Sequence, residues 1–296
     1  KQRYLLLEAE VEARCLIAYM NQDKPCDYIK SPRIVECKDL TEYEHKVRYY
    51  RINRQLKLQV GAALMHLVGY YLAEGSPVYS SKRGIHLLVF SFGKCLKEYA
   101  YATEVVLAAT ELGYHASLSL TNAGLWRVVI NSARLSRIFY QEFGRYSYGK
   151  RVPNWIKLLP AAKLQILFES YMNGDGHRAT ANMGCSSTTS RQLAMDMKDI
   201  ALKLGYNCST TVSQPTSSLI LGRHVNIKKK YTNLYSYKRT HGSMRSDNAG
   251  MYLPIKKIEM KPYKGFVYNL EVDEDHTFCT PYHALHNCGK EIGSVQ

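Results

Sequence analysis

Glu74 and Asp175 stand 101 positions apart (175 − 74 = 101), each closing an apolar run and each followed directly by glycine. The runs read Leu67-Val-Gly-Tyr-Tyr-Leu-Ala-Glu-Gly-Ser76 and Leu167-Phe-Glu-Ser-Tyr-Met-Asn-Gly-Asp-Gly176. Their period is that of buried helices. Gly69 and Ser170 fall at matched positions, where small side chains let two helices pack backbone to backbone. Gly75 and Gly176 are expected in the left-handed position that ends a helix. Such a pair brings two carboxylates together beside two negative helix ends, where they repel each other. A hard divalent cation with oxygen ligands would relieve that repulsion.

The elements that must position these acids repeat in order. After Glu74 come a strand at 86–92, a helix at 97–112 ending at Gly113, a hairpin of 117–120 with 126–130, and a helix at 132–143 stopped by Gly144. After Asp175 come a strand around Cys185–Thr189 and a helix at 191–204. Leu112-Gly-Tyr-His115 and Leu204-Gly-Tyr-Asn207 close the matching helices and lead into Ser/Thr-rich strands. The pattern predicts an α+β fold, a duplicated αββαββα unit with pseudo-twofold symmetry and curved antiparallel sheets. The expected divisions are a lead-in over 1–60, with a helical start at 5–20 and a charged stretch at 39–54, then repeats over 61–150 and 151–247. A segment over 248–287 and a short end over 288–296 follow, with 243–250 as a flexible connector.

Lys and Arg outnumber Asp and Glu by 40 to 25, giving a net charge of +15. That excess points to a polyanionic partner, nucleic acid first. The densest basic-aromatic stretch runs from Arg223 through Lys228, Lys229, Lys230 and Tyr231 to Lys238 and Arg239, a pattern suited to phosphate contact. The eight cysteines include no Cys-x-x-Cys pair, which argues against a zinc site, and scattered thiols without a signal peptide fit a reducing cytoplasm. No run is long and apolar enough to span a bilayer. The chain begins at Lys1 rather than Met, as a piece of a longer or processed product would.

Leu67–Gly75 and Phe168–Gly176 resemble the two signature helices of a monomeric LAGLIDADG homing endonuclease, and the Val152-Pro-Asn-Trp-Ile156 turn and the Leu-Gly-Tyr helix ends are similar to that family too. The resemblance covers about residues 60–245. It implies a sequence-specific endonuclease that grips duplex DNA with two saddle-shaped sheets and cuts across the minor groove, nucleoid-associated when bound. It also implies a monomer that holds Mg²⁺, with Mn²⁺ as an alternative, through Glu74 and Asp175, the backbone carbonyls of Ala73 and Gly174 assisting. Lys82 and Arg83 join the basic stretch as DNA-contacting residues. The basic residue expected near each scissile phosphate falls among Lys82, Lys94, Lys228, Lys238 and Lys256. The sequence departs from the family pattern at Glu74, where Asp is commoner, and at Ser170 and Asn173. A decayed or purely DNA-binding module is the alternative reading.

The tail Phe266-Val-Tyr-Asn-Leu-Glu-Val272, followed by His276 and by His286-Asn287-Cys288, resembles the C-terminal end of an intein splicing (Hint) domain. The resemblance implies that the Cys288 thiolate accepts the upstream acyl group and that the Asn287 carboxamide cyclises to cut the chain, with His276 and His286 polarising the scissile amide. Residues 288–296 would then begin the flanking host protein, or extein. No Thr-x-x-His motif and no starting Cys or Ser precede residue 60 in an intein-like context, so the N-terminal splicing block is expected to be missing.

Overall fold

The computed structural model describes residues 28–32, 38–49, 52–80, 85–180, 183–214, 217–220, 223–226, 231–237, 245–246, 250–254, 277–279 and 284–286. Contacts divide the chain into one unit over 34–239 and another joining 1–33 to 240–296. The boundaries expected at 60 and 247 therefore fall earlier at both ends.

The second of these units carries β1 (Tyr28–Pro32). The larger unit opens with a hairpin of β2 (Glu42–Tyr49) and β3 (Ile52–Gln59), where the sequence suggested only a charged lead-in. The Tyr43 ring stacks on Trp155 at 4.0 Å, and the Lys163 ammonium reaches Asp39 at 2.6 Å, so this segment is fastened to the repeats.

The first repeat runs α1 (Ala62–Glu74), β4 (Gly75–Ser80), β5 (Ile85–Phe92), α2 (Leu96–Glu111), β6 (Ala116–Leu120), β7 (Trp126–Ile130) and α3 (Ala133–Phe143). Two short helical turns follow, α4 (Tyr146–Gly149) and α5 (Asn154–Lys157). The second repeat runs α6 (Ala161–Gly174), β8 (Gly176–Thr180), β9 (Met183–Thr188), α7 (Arg191–Lys203) and β10 (Asn207–Ser213). An added hairpin of β11 (Ser217–Ile220) and β12 (Arg223–Asn226) precedes β13 (Tyr231–Tyr237). Both sheets are antiparallel, in the orders β4-β5-β7-β6 and β8-β9-β13-β10, the same topology twice. The second repeat departs from αββαββα: among the described residues no helix follows β13.

The duplication reaches hydrogen-bond detail. Gly113 and Gly205 take φ of 80° and 84°, and the amides of Tyr114 and Tyr206 each donate at 2.9 Å to a carbonyl five residues back, Ala109 and Ala201. This is one helix-ending motif used twice. Gly75 and Gly176 do not take the left-handed conformation expected of them. Gly75 is extended (φ −84°, ψ 151°) and begins β4. Glycine is needed there for space: a Cβ on Gly75 would lie 2.5 Å from the Tyr71 Cα, and one on Gly176 would lie 2.8 Å from the Met172 Cα.

The basic-aromatic run also reads differently. Its centre is β13, an interior strand in which Thr232, Leu234 and Ser236 are buried and Asn233 and Tyr235 lie on the other face. In the smaller unit β1 pairs with β15 (Gly250–Pro254), which also pairs with β14 (Arg245–Ser246), a strand inside the stretch expected to be a connector. A separate hairpin joins β16 (Thr277–Cys279) to β17 (Ala284–His286). The helix expected at 5–20 and the strand expected at 267–272 lie outside the described residues.

Candidate active site

The helix α1 buries residues all round, from Ala63 through Leu67 and Val68 to Leu72. A helix that is apolar on every side belongs in a core. Its main partner is α6, and the contact depends on small residues. A Cβ on Gly69 would fall 2.5 Å from the Leu167 carbonyl oxygen and 2.6 Å from the Ser170 Cβ. Nearer the helix ends, a Cβ on Gly174 would meet the Ala73 Cβ at 2.5 Å and the Glu74 Cγ at 3.3 Å. The close approach therefore runs the length of the pair and carries Glu74 to the end of α6, beside Asp175.

Polar contacts fix the register of the pair. Ser170 Oγ and His66 Nδ1 are hydrogen-bonded across the interface at 2.9 Å, and Asn173 donates its side-chain amide to the Tyr70 hydroxyl at 3.4 Å. Tyr70 in turn donates its hydroxyl to Glu104 of α2 at 2.6 Å. Tyr71 donates its hydroxyl to the Gly144 carbonyl at 2.5 Å, tying α1 to the turn after α3.

The surroundings disfavour the charged form of both carboxyls. Burial, and then the neighbouring Asp175 charge, push the Glu74 carboxyl up to about 7. Burial pushes Asp175 up to about 6, against the pull of Lys150. Asp175 keeps an exposed surface, so water screens part of that effect, and the upward direction is what its surroundings fix.

Lys150 completes the group. Its side chain is 7% exposed and its ammonium donates to the Ala73 carbonyl at 2.9 Å. Burial lowers its pKa to about 8, while Asp175 and Glu74 pull the other way. Sequence reasoning did not single it out. It lies in the connection between repeats, between Arg145 and Arg151, with no periodicity to mark it. Of the lysines considered for this role, Lys94 is exposed, and the side chains of Lys82, Lys228, Lys238 and Lys256 lie outside the described residues.

The Ala73 carbonyl, expected as an added metal ligand, thus accepts the Lys150 ammonium, and Gly174 packs against Ala73 and Glu74. Arg223 is in β12, where only its backbone is described, and Arg83, Lys229, Lys230 and Arg239 lie outside the described residues. His286 pairs with Thr277 in β17, while His276, Asn287 and Cys288 lie outside the described residues.

No protein-family model matches the chain. The chain is 28% identical over 235 residues to an iron–sulfur cluster assembly SufBD family protein of Mycobacterium tuberculosis, a match covering 76% of this chain and 27% of that protein. An uncharacterized protein of Methanocaldococcus jannaschii matches at 25% over 260 residues, covering 78% of this chain and 30% of that one. The ATP-dependent DNA helicase Hel308 of Thermococcus kodakarensis matches at 24% over 243 residues, covering 75% and 21%. The chain thus spans about a quarter of the length of the curated relatives it matches. Among solved structures, a variant of the homing endonuclease I-DmoI aligns over 60% of this chain and 89% of its own, at 12% identity and a TM-score of 0.43. The homing endonuclease I-WcaI bound to its DNA recognition sequence aligns over 60% and 76%, at 14% identity and a TM-score of 0.34. Scores below 0.5 do not establish a shared fold.

The residues present suit a divalent metal. They offer two hard carboxylates whose charged forms are disfavoured by burial, and among the described residues no third His, Cys, Asp or Glu side chain joins them in a cluster. A Mg²⁺ ion is commonly held by one or two carboxylates, with phosphate oxygens and water filling the remaining positions. Among the described residues no helix is long and apolar enough to cross a membrane.

Proposed function

We propose that residues 34–239 form a LAGLIDADG-type endonuclease that hydrolyses phosphodiester bonds of double-stranded DNA at a site built from Glu74, Asp175 and Lys150. The observation that carries this reading is the pair of crowded helix-end carboxylates, both shifted upward, with one buried ammonium beside them. Glu74 and Asp175 would hold Mg²⁺ or Mn²⁺. Bound there, the cation supplies Lewis-acid stabilisation of the phosphate and lowers the pKa of a water ligand.

Lys150 has a separate task. Its ammonium, held against the Ala73 carbonyl, offsets phosphate charge and holds a proton at Nζ for the leaving alkoxide. A pKa near 8 suits that exchange at neutral pH. The chain's net charge of +15 favours a polyanionic substrate, and Lys82, Arg83, Arg223, Lys228, Lys229, Lys230, Lys238 and Arg239 are assigned to its phosphates. The test is cleavage of a duplex selected by binding from a randomised pool, in Mg²⁺ or Mn²⁺. Glu74→Gln with Asp175→Asn is expected to abolish cutting and leave salt-sensitive binding. Unchanged cutting in the double variant removes the site, and wild-type protein that binds but never cuts makes the fold a DNA-binding module only.

The second proposed activity is support of protein splicing by Asn287 cyclisation, with the chain ends as part of a Hint domain whose N-terminal block is expected to be missing. The pairing of β1 with β15 supports it, because that pairing joins the first and last segments around the 34–239 insertion. The relatives also support it. They bear unrelated names and share only a fraction of their length with this chain, the distribution of a portable element set into different hosts. Asn287, Cys288, His276 and His286 would perform the chemistry described above. Asn287→Ala is expected to block release of the tail. Mass spectrometry showing release in that variant overturns the assignment.

A further inference from the structure

A cavity of about 510 Å³ lies between the β4–β5 hairpin and α3, lined among others by Pro77, Tyr79, His86, Arg137, Tyr140 and Arg145. Its size is that of a small-molecule site, which spans about 300–1,000 Å³. It opens on the helix side of the first sheet, on the strand face opposite Ser76 and Val78.

Its chemistry has one sign. Among the described residues no acidic side chain lines it, and two guanidinium groups do. Arg145 lines the cavity, and its guanidinium lies over the Tyr146 ring, 4.4 Å from the centroid. Arginine only donates, so a guanidinium at the cavity suits an oxygen acceptor, best an anionic one. His86 reports the same environment, since burial and the Arg137 charge lower its pKa.

The second component is aromatic. Tyr79 and Tyr140 line the cavity and are 56% and 52% exposed. Tyr79 is held by the cross-strand His86 ring at a centroid distance of 4.4 Å. Guanidinium donors beside open tyrosine rings match a ligand with a phosphate at one end and a flat base at the other.

We infer that this cavity binds a nucleotide unit, its phosphate on Arg137 and Arg145 and its base against the Tyr79 and Tyr140 rings. The unit comes either from a free mononucleotide or from a single nucleic-acid strand. The inference does not rest on the endonuclease reading, because neither Glu74 nor Asp175 lines the cavity.

The test is calorimetric titration of the full chain with AMP, adenosine and inorganic phosphate. AMP is expected to bind, and adenosine to bind at least about tenfold more weakly for want of the charge-assisted contacts. Arg145→Gln and Tyr140→Ala are each expected to weaken AMP by about fivefold or more. Tyr140 is half exposed, so its alanine variant should fold with an unchanged melting temperature and bind duplex DNA as wild type does. A short single-stranded oligonucleotide that displaces AMP identifies the strand as the source, and AMP binding without displacement identifies the free nucleotide. No AMP binding, equal affinity for adenosine, or AMP binding unchanged in both variants overturns the inference.

Discussion

Replacing Glu74 with glutamine keeps the shape of the side chain and removes its charge, which makes it a direct test of the crowded carboxylate pair. The Glu74 carboxyl rises from its ordinary 4.5 to about 7 in the folded chain. A raised folded-state value means that the group favours folding below its unfolded value and loses that contribution as pH climbs through 7. At pH 8 without metal, ionised Glu74 therefore costs stability. A full conversion of the shift would exceed 3 kcal/mol, but the side chain is only partly buried, so a cost on the order of 2 kcal/mol is the working figure. Glu74→Gln removes that cost. The variant should melt about 4–8 °C higher than wild type at pH 8 in a chelator, taking about 2–4 °C per kcal/mol for a unit of this size. At pH 5 wild-type Glu74 is already protonated in the folded state, and the two proteins should melt within about 2 °C of each other. Millimolar Mn²⁺ should reverse the order at pH 8 by stabilising wild type alone. Scanning calorimetry at both pH values, with and without metal, reads all three. A Glu74→Gln variant that melts below wild type at pH 8 in chelator would refute the reasoning, because it would make Glu74 a stabilising partner of Lys150 instead of a repelled charge.

Lys150→Met should lower DNA cleavage by roughly 10²–10⁴-fold while leaving duplex binding within a few-fold, as single-turnover and equilibrium assays can separate. Asp196 is 1% exposed and accepts from the Val152 amide at 2.8 Å and the Lys157 ammonium at 3.0 Å. Asp196→Ala should therefore cost about 3–5 kcal/mol in urea unfolding by stranding those donors. Gly69→Val has no room beside the Leu167 carbonyl and should prevent folding or part α1 from α6, seen as loss of the cooperative melt.

How much of this was legible beforehand follows from which signals are local. The carboxylates and the small residues behind them stand out because a helix end and a packing contact both have fixed spacings. The Leu-Gly-Tyr ends are legible for the same reason, since a single left-handed residue dictates the motif. The hairpin at Glu42–Gln59 hides in a charged stretch, although Tyr43, His45, Val47 and Tyr49 alternate with Glu42, Glu44, Lys46 and Arg48, a strand period written in charged residues. Gly75 misled because glycine serves both a left-handed turn and a tight contact, and only the position of Tyr71 decides between them. Lys150 was invisible because its role comes from burial against distant Glu74 and Asp175, which no window of sequence around it contains.

The same residue breaks the twofold symmetry of the repeats. Helices, sheet order and helix-ending motifs are duplicated, yet Lys150 comes from the connection between repeats, and it is the one cation acting on either carboxylate among the described residues. The two acids differ as well: Glu74 closes α1 from within, while the shorter Asp175 caps α6 from just beyond it. Under the proposed function, a duplex lying across this pair would present its two scissile phosphates to unequal surroundings. One ammonium cannot stand equally near both leaving oxygens, and a displacement of an ångström or so can cost about a hundredfold in rate. The strands of a supercoiled substrate should therefore be cut in sequence, with nicked circles accumulating before linear DNA, and Lys150→Met should slow one strand far more than the other. Linear product forming with no nicked intermediate, or equal slowing of both strands in the variant, would mean that the two halves act alike and that Lys150 has no preferred phosphate.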